Sequence, residues 1–442
     1  MDAIEPRFVI VGGGLAGALL AVHLGQAGYD VEVYEMRGDM RTATVAAGRS
    51  INLALSYRGL CALAGVGLAD DILELTIPMR GRMIHPVAGP LSFQPYGLGD
   101  EQVIRSISRA ALNTALLDAA SRNPQVRLFF NERCTRVDLD TAAVEFTHAT
   151  TNEKKAVTDR IVVAADGAFS AVRQRMQRMD RFNYRQDYLE HGYKELTIPP
   201  GPEGRHRLEK NALHIWPRRS FMMIALPNLD GSFTCTLFFA LDGPESFAAL
   251  DNALDVTDFF TRTFPDVVPL MPSLAEDFFK NPTGSLMTIR CSPWHVGDRI
   301  ALLGDAAHAV VPFYGQGMNA AFEDVIVLSD CLKRHRPDWR RAFETYFDER
   351  KPHTDALAGL ALANFVEMRD HTGKRAFLWK KKAEATLHKL FPSWFVPLYT
   401  MVTFTRTPYA EAVRRARKQD RVVLEVVFTV LLILIFAVLL IV

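Results

Sequence analysis

The sequence has few of the features that mark metal, disulfide or nucleic-acid-binding proteins. Its five cysteines include no C-x-x-C pair and their spacing fits no zinc site, so a reducing compartment is the simplest interpretation. Lysine and arginine total 51 against 50 aspartates and glutamates, and the net charge of +1 gives no basic surface for nucleic acid. The first residues, MDAIEPRFVIVGGG, lack the basic region and long apolar run of a signal peptide. The sequence also has no internal repeat and no low-complexity segment.

One long hydrophobic run is present, at the end of the chain. Residues Val426–Val442 carry no charge, and extension back to Val422 adds only Glu425, which gives about 20 residues, enough to cross a bilayer. The basic cluster RRARKQDR (Arg414–Arg421) before it is typical of the cytoplasmic side. A buried core helix is the alternative, but such a helix is rarely apolar on every face. The pattern predicts a transmembrane tail anchor over 422–442, with the rest of the protein facing the cytosol.

The beginning of the chain carries a glycine motif between two β-type runs. FVIVGGG (Phe8–Gly14) is followed by a run with helical spacing and then by VEVYE, which ends at Glu35. In Gly12-x-Gly14-x-x-Gly17 the glycines permit a tight turn, close approach of the backbone to a pyrophosphate and close helix–strand packing. The helix N-terminus attracts phosphate, and Glu35 is spaced to bind a ribose hydroxyl. The motif predicts dinucleotide binding without separating FAD from NAD.

Two further turns follow apolar strands. IVVAAD ends in Asp166-Gly167, and RIALLGDAAH contains Gly304-Asp305 with His308 just behind. A strand that ends in such a turn presents a carboxylate at the sheet edge where α/β folds bind ligands. A plain turn is the alternative for an isolated Asp-Gly. Asp305 suits a ribitol or ribose hydroxyl, whereas His308 has no evident catalytic partner and is interpreted as structural.

Periodicity outlines the remaining elements. A long helix is predicted from about Asn319, and the N–H groups of Gly317, Met318 and Asn319 at its start suit a flavin carbonyl or a pyrophosphate. A helix is also predicted over Ile104–Arg122, capped by Ser106 or Ser108. Three β-type runs over Leu213–Ala240 indicate an antiparallel sheet and hence a second domain.

In this order and spacing, the three motifs resemble the signature of the single-component FAD-dependent aromatic hydroxylase family. The resemblance implies an α/β fold with a Rossmann-like FAD-binding domain of the glutathione-reductase and aromatic-hydroxylase type. In that family the glycine motif holds the ADP part of FAD, the Asp-Gly motif contributes to FAD and NADPH binding, and the Gly-Asp motif contacts the ribitol. NADPH has no Rossmann domain of its own there, which agrees with the single glycine motif of this sequence.

A closer resemblance, to the branch of that family that hydroxylates L-kynurenine, extends over nearly the whole chain. It rests on GRSINLALSYRG (48–59), IPMRGRMIH (77–85), PYG (95–97), LHIWPRRSFMMIALPN (213–228), LLGDAAHAVVPFYGQGMNAAFED (302–324), NFVEMR (364–369) and FVPLYTMVTF (395–404). The resemblance implies an NADPH- and O₂-dependent enzyme that forms 3-hydroxy-L-kynurenine through a flavin C4a-hydroperoxide. It also implies the mitochondrial outer membrane for a eukaryotic source, or the inner membrane for a bacterial one, and leaves a homo-oligomer open.

Matching positions give individual residues their expected roles. The resemblance implies that Arg82 binds the substrate carboxylate, and it places around the substrate Tyr96, Asn364, Tyr399, Met368, Ile224 and Phe238. Around the cofactor it places Gly12, Gly14, Ala16, Gly17, Glu35, Arg37, Ala54, Arg109, Cys134, Asp166, Asp305, Gly317, Met318 and Asn319. A guanidinium suits a planar carboxylate, but from the residues alone a surface cation is the simpler interpretation of Arg82. No side chain is assigned as catalytic, since the flavin carries the chemistry.

The predicted organisation has four parts. Residues 1–75, 100–180 and 290–345 form a discontinuous FAD-binding domain, and 76–99 with 181–289 form a substrate domain with an antiparallel sheet. Residues 346–421 form a helical region that covers the substrate site, and 422–442 form the anchor. Two other functions stay open: a membrane-bound flavoenzyme acting on a different aromatic or lipid substrate, and a non-catalytic FAD-fold binding protein. Arg82 with Tyr96 favours a small anionic substrate, and the intact aspartate motifs favour an enzyme.

Overall fold

The computed structural model describes residues 7–42, 52–97, 99, 101–367 and 375–441, without the side chains of 375–381, 434 and 437–441. The strands of this part are β1 (Arg7–Val11), β2 (Asp30–Glu35), β3 (Asn52–Leu55), β4 (Thr76–Met79), β5 (Gly81–Ile84), β6 (Ser92–Pro95), β7 (Ile104–Ser108), β8 (Val126–Phe130), β9 (Glu132–Val137), β10 (Val144–His148), β11 (Lys154–Val157), β12 (Ile161–Ala164), β13 (Asn183–Ile198), β14 (Ala212–Arg218), β15 (Phe221–Pro227), β16 (Phe233–Ala240), β17 (Gly284–Ser292), β18 (His295–Val296) and β19 (Ile300–Leu302). The helices are α1 (Leu15–Gln26), α2 (Tyr57–Ala64), α3 (Ala69–Glu74), α4 (Arg109–Ser121), α5 (Ala171–Met176), α6 (Ala253–Thr263), α7 (Leu274–Lys280), α8 (Asp305–His308), α9 (Gly317–His335), α10 (Trp339–Val366), α11 (Arg375–Leu390), α12 (Leu398–Phe404) and α13 (Tyr409–Ile441).

A six-stranded sheet carries the three sequence motifs. Within the described chain its strand order is β18-β19-β12-β1-β2-β8, and all strands but the short edge strand β18 run parallel. Val11 pairs with Ala164, and Ala164 pairs with Leu302, so β1, β12 and β19 end in register. The turns that follow these strands therefore meet at one edge of the sheet. Apolar residues of the sheet, α1 and α9 form a large buried core beneath that edge.

A second, seven-stranded sheet has the order β17-β13-β16-β15-β14-β5-β6 among the described residues. The three β-type runs over Leu213–Ala240 form β14, β15 and β16 and pair antiparallel, which confirms the predicted pairing. One face of this sheet packs on α6 and α7 through a cluster rich in phenylalanine. The other face packs against α10. The strand β5, which bears Arg82, joins near the edge by parallel pairing with β14.

The helix predicted over Ile104–Arg122 is wrong at its start. Residues Ile104–Ser108 form β7, which pairs antiparallel with both β3 and β4. The helix α4 begins at Arg109, and the Ser108 side chain caps it by accepting a hydrogen bond from the Ala111 N–H. Because β7 is paired on both sides and Ile104, Ser106 and Ile107 are buried there, tertiary pairing outweighs the local helical spacing.

The C-terminal helices pack onto both sheets. A buried cluster of Leu357, Met401, Val402 and Tyr409 joins α10, α12 and α13, and Ala320 of α9 belongs to it. This contact brings the short helix α12 against the part of the molecule that carries the sequence motifs.

The transmembrane anchor predicted over 422–442 is wrong for the described chain. Its residues are the later part of α13, a single helix that begins at Tyr409 and includes the charged stretch Arg414–Arg421. None of the described helices is long and apolar enough to cross a membrane. Two further predictions depended on the anchor and are not supported without it. These are the membrane lipid partner and the mitochondrial or inner-membrane location.

Candidate active site

The glycine turn after β1 is shaped by close contacts. Gly12 has a φ of +103°, and a Cβ at this position would lie 2.6 Å from the Ala165 carbonyl oxygen. A Cβ on Gly17 would lie 2.0 Å from the Gly12 carbonyl oxygen, so α1 packs directly on the turn. A Cβ on Gly14, by contrast, would meet nothing within 4 Å. The N-terminus of α1 at Gly14 has no side-chain cap and faces open space, as an anion site at a helix N-terminus requires.

Glu35, at the end of β2, closes the same turn. Its buried carboxylate accepts hydrogen bonds from the Gly13 N–H at 2.8 Å and from the Arg37 Nε at 2.7 Å. The Arg37 backbone N–H also donates to it, at 3.0 Å. The carboxylate that the sequence assigns to a ribose therefore also holds the glycine turn in shape, and it brings Arg37 to the same place.

Asp166 follows β12 on the adjacent strand. Its Oδ2 accepts a hydrogen bond from the Ala171 N–H at 2.8 Å, whereas its Oδ1 is buried without a hydrogen-bond partner in the described residues. Burial raises the pKa of Asp166. Cys134, on β9, lies near this carboxylate, and its pKa is raised to about 12, first by burial and then by Asp166. Cys134 is thus a protonated thiol beside the Asp-Gly turn.

The third turn places Asp305 beside the first. Gly304 has a φ of +61°, and a Cβ there would lie 3.5 Å from the Ala16 Cβ on α1. Asp305 is exposed, but nearby protein desolvates its carboxylate and raises its pKa. The positive charges of His308 and Arg109 act in the opposite direction and lower the pKa. Asp305 therefore lines a recess rather than an open surface, with Arg109 of α4 nearby. His308 itself is paired with Asp324, Nε2 to Oδ2 at 2.6 Å, in agreement with a structural role.

The start of α9 lies against β3. Asn319 is fully buried, its Oδ1 accepts from the Ser56 N–H at 2.9 Å, and its Nδ2 donates to the Ala54 and Gly315 carbonyls, each at 2.9 Å. Its side chain therefore holds the loop together instead of pointing to a ligand. Met318 is partly buried against the core of the six-stranded sheet. Gly317 begins the helix one residue earlier.

These features fit FAD. The open N-terminus of α1 suits the pyrophosphate, because backbone N–H groups and the helix dipole both favour a phosphate there. The unpartnered Asp166 Oδ1 can accept a hydrogen bond from a donor outside the chain. Asp305, directly after Gly304 where the turn approaches Ala16 of α1 and Ala321 of α9, is a suitable acceptor for a ribitol hydroxyl.

Arg82, on the seven-stranded sheet, forms a second group with Tyr96, which follows β6, and Tyr399, on α12. The guanidinium carbon of Arg82 lies 5.0 Å from the Tyr399 ring centroid and 5.6 Å from that of Tyr96, and the two rings stack at 5.4 Å. The Arg82 Nε and the Tyr96 Oη are buried without a hydrogen-bond partner of good geometry in the described chain. The interpretation of Arg82 as a surface cation is therefore wrong.

A carboxylate that sequence analysis missed lies beside this group. Burial opposes the charge of Arg82, but Tyr399, Tyr96 and Glu367 outweigh it and raise the pKa of Arg82 above its usual range. Glu367 also acts on Tyr314, whose pKa burial raises. Glu367 follows Asn364 by three residues, which puts the two on one face of the helix. The three-residue spacing is visible in the sequence and could have indicated that Glu367 lies near Asn364.

Apolar side chains surround the charged group. Phe238, on β16, is buried with its ring 4.9 Å from that of Phe313, and Ile224 on β15 packs against the same cluster. The Asn364 Nδ2 donates to the Phe313 carbonyl at 2.6 Å. Both predicted pocket residues and Asn364 thus meet around Phe313. Met368 lies outside the described residues.

A series of contacts joins the cofactor-side and substrate-side residues. Ala54, which Asn319 holds, packs in the same apolar cluster as Tyr96, Ile224 and Tyr399. The Tyr314 ring, just before the start of α9, is 5.7 Å from the Tyr399 ring. The three turns at the edge of the six-stranded sheet and the arginine on the seven-stranded sheet are therefore connected through α9 and its preceding loop.

Comparison with known proteins agrees with this architecture. A family model described as FAD binding domain matches residues 6–192 and 275–361. Among solved structures, the tetrameric form of 2-methyl-3-hydroxypyridine-5-carboxylic acid oxygenase superposes with a TM-score of 0.68 at 22% identity, covering 85% of this chain and 96% of that chain. At that identity the likeness establishes the fold, which is that of the FAD-binding aromatic hydroxylases.

Sequence relatives are similar over almost their full length. The kynurenine 3-monooxygenase of Salinispora arenicola is 48% identical over 423 residues, covering 96% of this chain and 93% of that protein. The kynurenine 3-monooxygenase of Dictyostelium discoideum is 45% identical over 436 residues, covering 96% and 94%. The chain therefore belongs to the kynurenine 3-monooxygenase family of FAD-binding hydroxylases.

Proposed function

We propose that the protein hydroxylates L-kynurenine to 3-hydroxy-L-kynurenine, with FAD as cofactor, O₂ as oxidant and NADPH as electron donor. The observation that carries the proposal is the enclosed Arg82, which lies beside the stacked rings of Tyr96 and Tyr399, in a cluster that also includes Ala54 of the cofactor side. L-Kynurenine presents a carboxylate, an ammonium group and an aromatic ring. Each has a suitable partner among the residues of this site.

The carboxylate is assigned to Arg82. A guanidinium surrounded by protein is costly without an anion, and its planar fork binds a carboxylate through two parallel hydrogen bonds. The unpartnered Nε of Arg82 and hydroxyl of Tyr96 are donors of the right kind. A lipid substrate would offer no carboxylate to these donors, which disfavours the lipid-modifying alternative.

The ammonium group is assigned to Glu367. Its carboxylate acts electrostatically on Arg82, so a cation and an anion of the chain lie near each other at one end of the site. A free amino acid carries the complementary pair of charges on adjacent atoms. This arrangement favours an amino acid over a simple aromatic acid.

The aromatic ring is assigned to the apolar wall of Ile224, Phe238 and Phe313. Bound FAD supplies the oxygen activation that ring hydroxylation requires. The chain orients the ring and keeps water from the reacting atoms, which the aromatic side chains of Phe313, Tyr314 and Tyr399 favour. The aromatic amine of the substrate activates the neighbouring ring carbon, so hydroxylation at C3 follows from orientation alone.

NADPH is assigned to a groove beside the Asp-Gly turn. The groove has a volume of about 560 Å³. Most of its lining side chains are polar, and the ring of Phe169 is exposed. The lining residues are Ala168, Phe169, Arg173, Gln174, Gln177, Arg178, Tyr184 and Gln186. Of its two arginines, Arg178 is exposed and suited to a phosphate group, whereas Arg173 is buried and donates to the Ala306 and Ala168 carbonyls. The position of the groove next to Asp166 puts it beside the cofactor turns.

The test is a coupled assay on the purified FAD-loaded protein. NADPH oxidation is measured with and without L-kynurenine, the product is identified by mass, and NADH is compared with NADPH. The proposal predicts oxidation stimulated by L-kynurenine and a product heavier by one oxygen atom, with the label of ¹⁸O₂ in it. Oxidation that L-kynurenine does not stimulate, with no oxygenated product, would refute it.

A further inference from the structure

The helix that carries Tyr399 is too short to hold its place alone. The helix α12 has seven residues, and the last carbonyls of any helix lack partners within it. Arg58, on α2, supplies such partners: its Nε donates to the Val402 carbonyl at 2.8 Å, and its Nη2 donates to the Met401 carbonyl at 3.5 Å and to the Thr407 carbonyl. The end of α12 and the loop behind it are thus held by one guanidinium.

The same guanidinium is fixed from the cofactor side. The Arg58 Nη1 donates to the Glu323 Oε1 on α9 at 2.8 Å. The Tyr409 ring covers the guanidinium carbon at 4.1 Å, and the Tyr409 hydroxyl donates to the Gln316 Oε1 at 3.2 Å, just before α9 begins. Arg58 is only 1% exposed. It therefore connects α9, whose first residues line the cofactor region, to α12, whose second residue lines the substrate region.

Glu323 would keep one cationic partner, Arg350, after removal of Arg58. The other oxygen of Glu323 accepts from the Arg350 Nη1 at 2.7 Å, and Arg350 also donates from Nε to Asp324 at 2.7 Å. Asp324 is in turn paired with His308. What Arg58 alone contributes is the connection to the carbonyls of α12 and its following loop, which needs several donors in one plane and which a lysine cannot reproduce.

We propose that Arg58 is a positioning residue for substrate binding, which sets the place of Tyr399 relative to Arg82 by joining α12 to α9. This inference rests on the proposed function, since it concerns binding of L-kynurenine at Tyr399. Arg58 acts through α12 and does not itself contact the substrate.

The experiment compares the FAD-loaded wild-type protein with Arg58→Met, Arg58→Lys and the control Lys194→Met. Lys194 is also a buried cation that donates to a backbone carbonyl, that of Asn281 at 2.8 Å. Its ammonium group lies 4.8 Å from the ring of Phe278 on α7, and it makes no recorded contact with α12 among the described residues. Hydrogen exchange is measured over residues 398–404 and over α9, together with KM and kcat for L-kynurenine and the fraction of NADPH that yields H₂O₂. Arg58→Lys keeps a charge beside Glu323, so it decides the question if Arg58→Met does not fold.

For Arg58→Met the proposal predicts faster hydrogen exchange over 398–404, whereas exchange over α9 is unchanged and FAD stays bound. The KM for L-kynurenine should rise about tenfold, as for one lost charge-assisted hydrogen bond. A larger fraction of the NADPH should yield H₂O₂. Arg58→Lys should show the same changes to a smaller degree, and Lys194→Met should show none of them. Wild-type exchange over 398–404 and wild-type KM in the arginine variants, or equal changes in Lys194→Met, would overturn it. Because hydrogen exchange needs no substrate, it decides the positioning even if the wild-type protein does not hydroxylate L-kynurenine.

Discussion

At the scale of single residues, the substrate site combines one enclosed cation with one carboxylate. Arg82 lies near Tyr96, Tyr399 and Glu367, and Glu367 is the carboxylate that acts most strongly on its pKa. A substrate with only a carboxylate would match Arg82 and repel Glu367, whereas an amino acid matches both. Selection for the α-amino group is therefore expected to depend on Glu367.

Glu367→Gln should weaken L-kynurenine binding about tenfold, because one charge-assisted hydrogen bond to the ammonium group is lost. The same change should leave 4-(2-aminophenyl)-4-oxobutanoate, which lacks the amino group, bound as before or more tightly. The measurement is the dissociation constant of each ligand from the FAD-loaded protein and its variant. Equal weakening of both ligands would show that Glu367 acts on the shape of the site and not on the ammonium group.

A second residue-scale feature is a buried pair of histidines under the seven-stranded sheet. The His214 Nε2 lies 2.8 Å from the Glu209 carbonyl, which can only accept, so this nitrogen carries the hydrogen. Its Nδ1 then accepts from the His85 Nε2 at 2.9 Å, and the His85 Nδ1 faces Asp266 at 2.8 Å. Burial lowers the pKa of His214 to about 4, so the folded protein holds it neutral.

His214 should make the folded protein sensitive to acid. Its pKa in the folded state lies below the ordinary value of 6.5 that it has when unfolded, so the stabilisation is complete above pH 6.5 and is lost as pH falls towards 4. The full loss is on the order of 3 kcal/mol. Denaturant unfolding of the FAD-saturated protein from pH 7 to 4.5 should show a shallower loss of stability with falling pH in His214→Gln than in the wild type. Equal slopes would contradict this role.

At the scale of elements, the glycines of the turn between β1 and α1 have two different roles. Gly17 allows α1 to contact the turn, because a Cβ would lie 2.0 Å from a backbone oxygen. Gly14 faces open space, so the absence of a side chain there leaves room for a ligand and is not needed for packing of the chain. The two roles can be tested separately.

Gly17→Ala should destabilise the apoprotein by about 1–3 kcal/mol, as overpacking does, and should abolish FAD binding. Gly14→Ala should leave stability within about 0.5 kcal/mol but weaken FAD binding, because the methyl group occupies the approach to the pyrophosphate. FAD affinity by fluorescence and apoprotein unfolding measure these effects. Gly359→Ala, in the exposed face of α10 where a Cβ also meets nothing, is the control and should bind FAD normally. Normal FAD binding by Gly17→Ala would contradict the assigned contact.

Much of this element order was predictable because it is local. The strands that precede the three turns are apolar runs closed by glycine or Asp-Gly, and parallel strands bring such ends together. The strand β7 was not predictable, because its conformation is set by pairing with β3 and β4. The bridging role of the Asn319 side chain was equally hidden, since its partners Ala54 and Ser56 are distant in the chain.

At the scale of the whole molecule, the site is assembled from three regions that the sequence keeps far apart. Arg82 comes from a strand inserted near the edge of the seven-stranded sheet, Tyr399 from a short C-terminal helix, and Asp305 from the edge of the other sheet. Residue types alone make Arg82 a surface cation, and the resemblance to a family was needed to expect otherwise. Hydrophobicity alone was also misleading at the C-terminus, where the apolar residues belong to the same long helix as a charged stretch.

The central claim is that the arginine group and the cofactor turns form one site, so that a substrate held by Arg82 lies against the flavin. The most direct test is titration of L-kynurenine into the FAD-loaded protein while the flavin absorbance is recorded, for the wild type and for Arg82→Met, with Arg80→Met as control. The account predicts a saturable change in the flavin spectrum for the wild type and Arg80→Met, and its loss in Arg82→Met although FAD remains bound in full. An unchanged titration in Arg82→Met would contradict it.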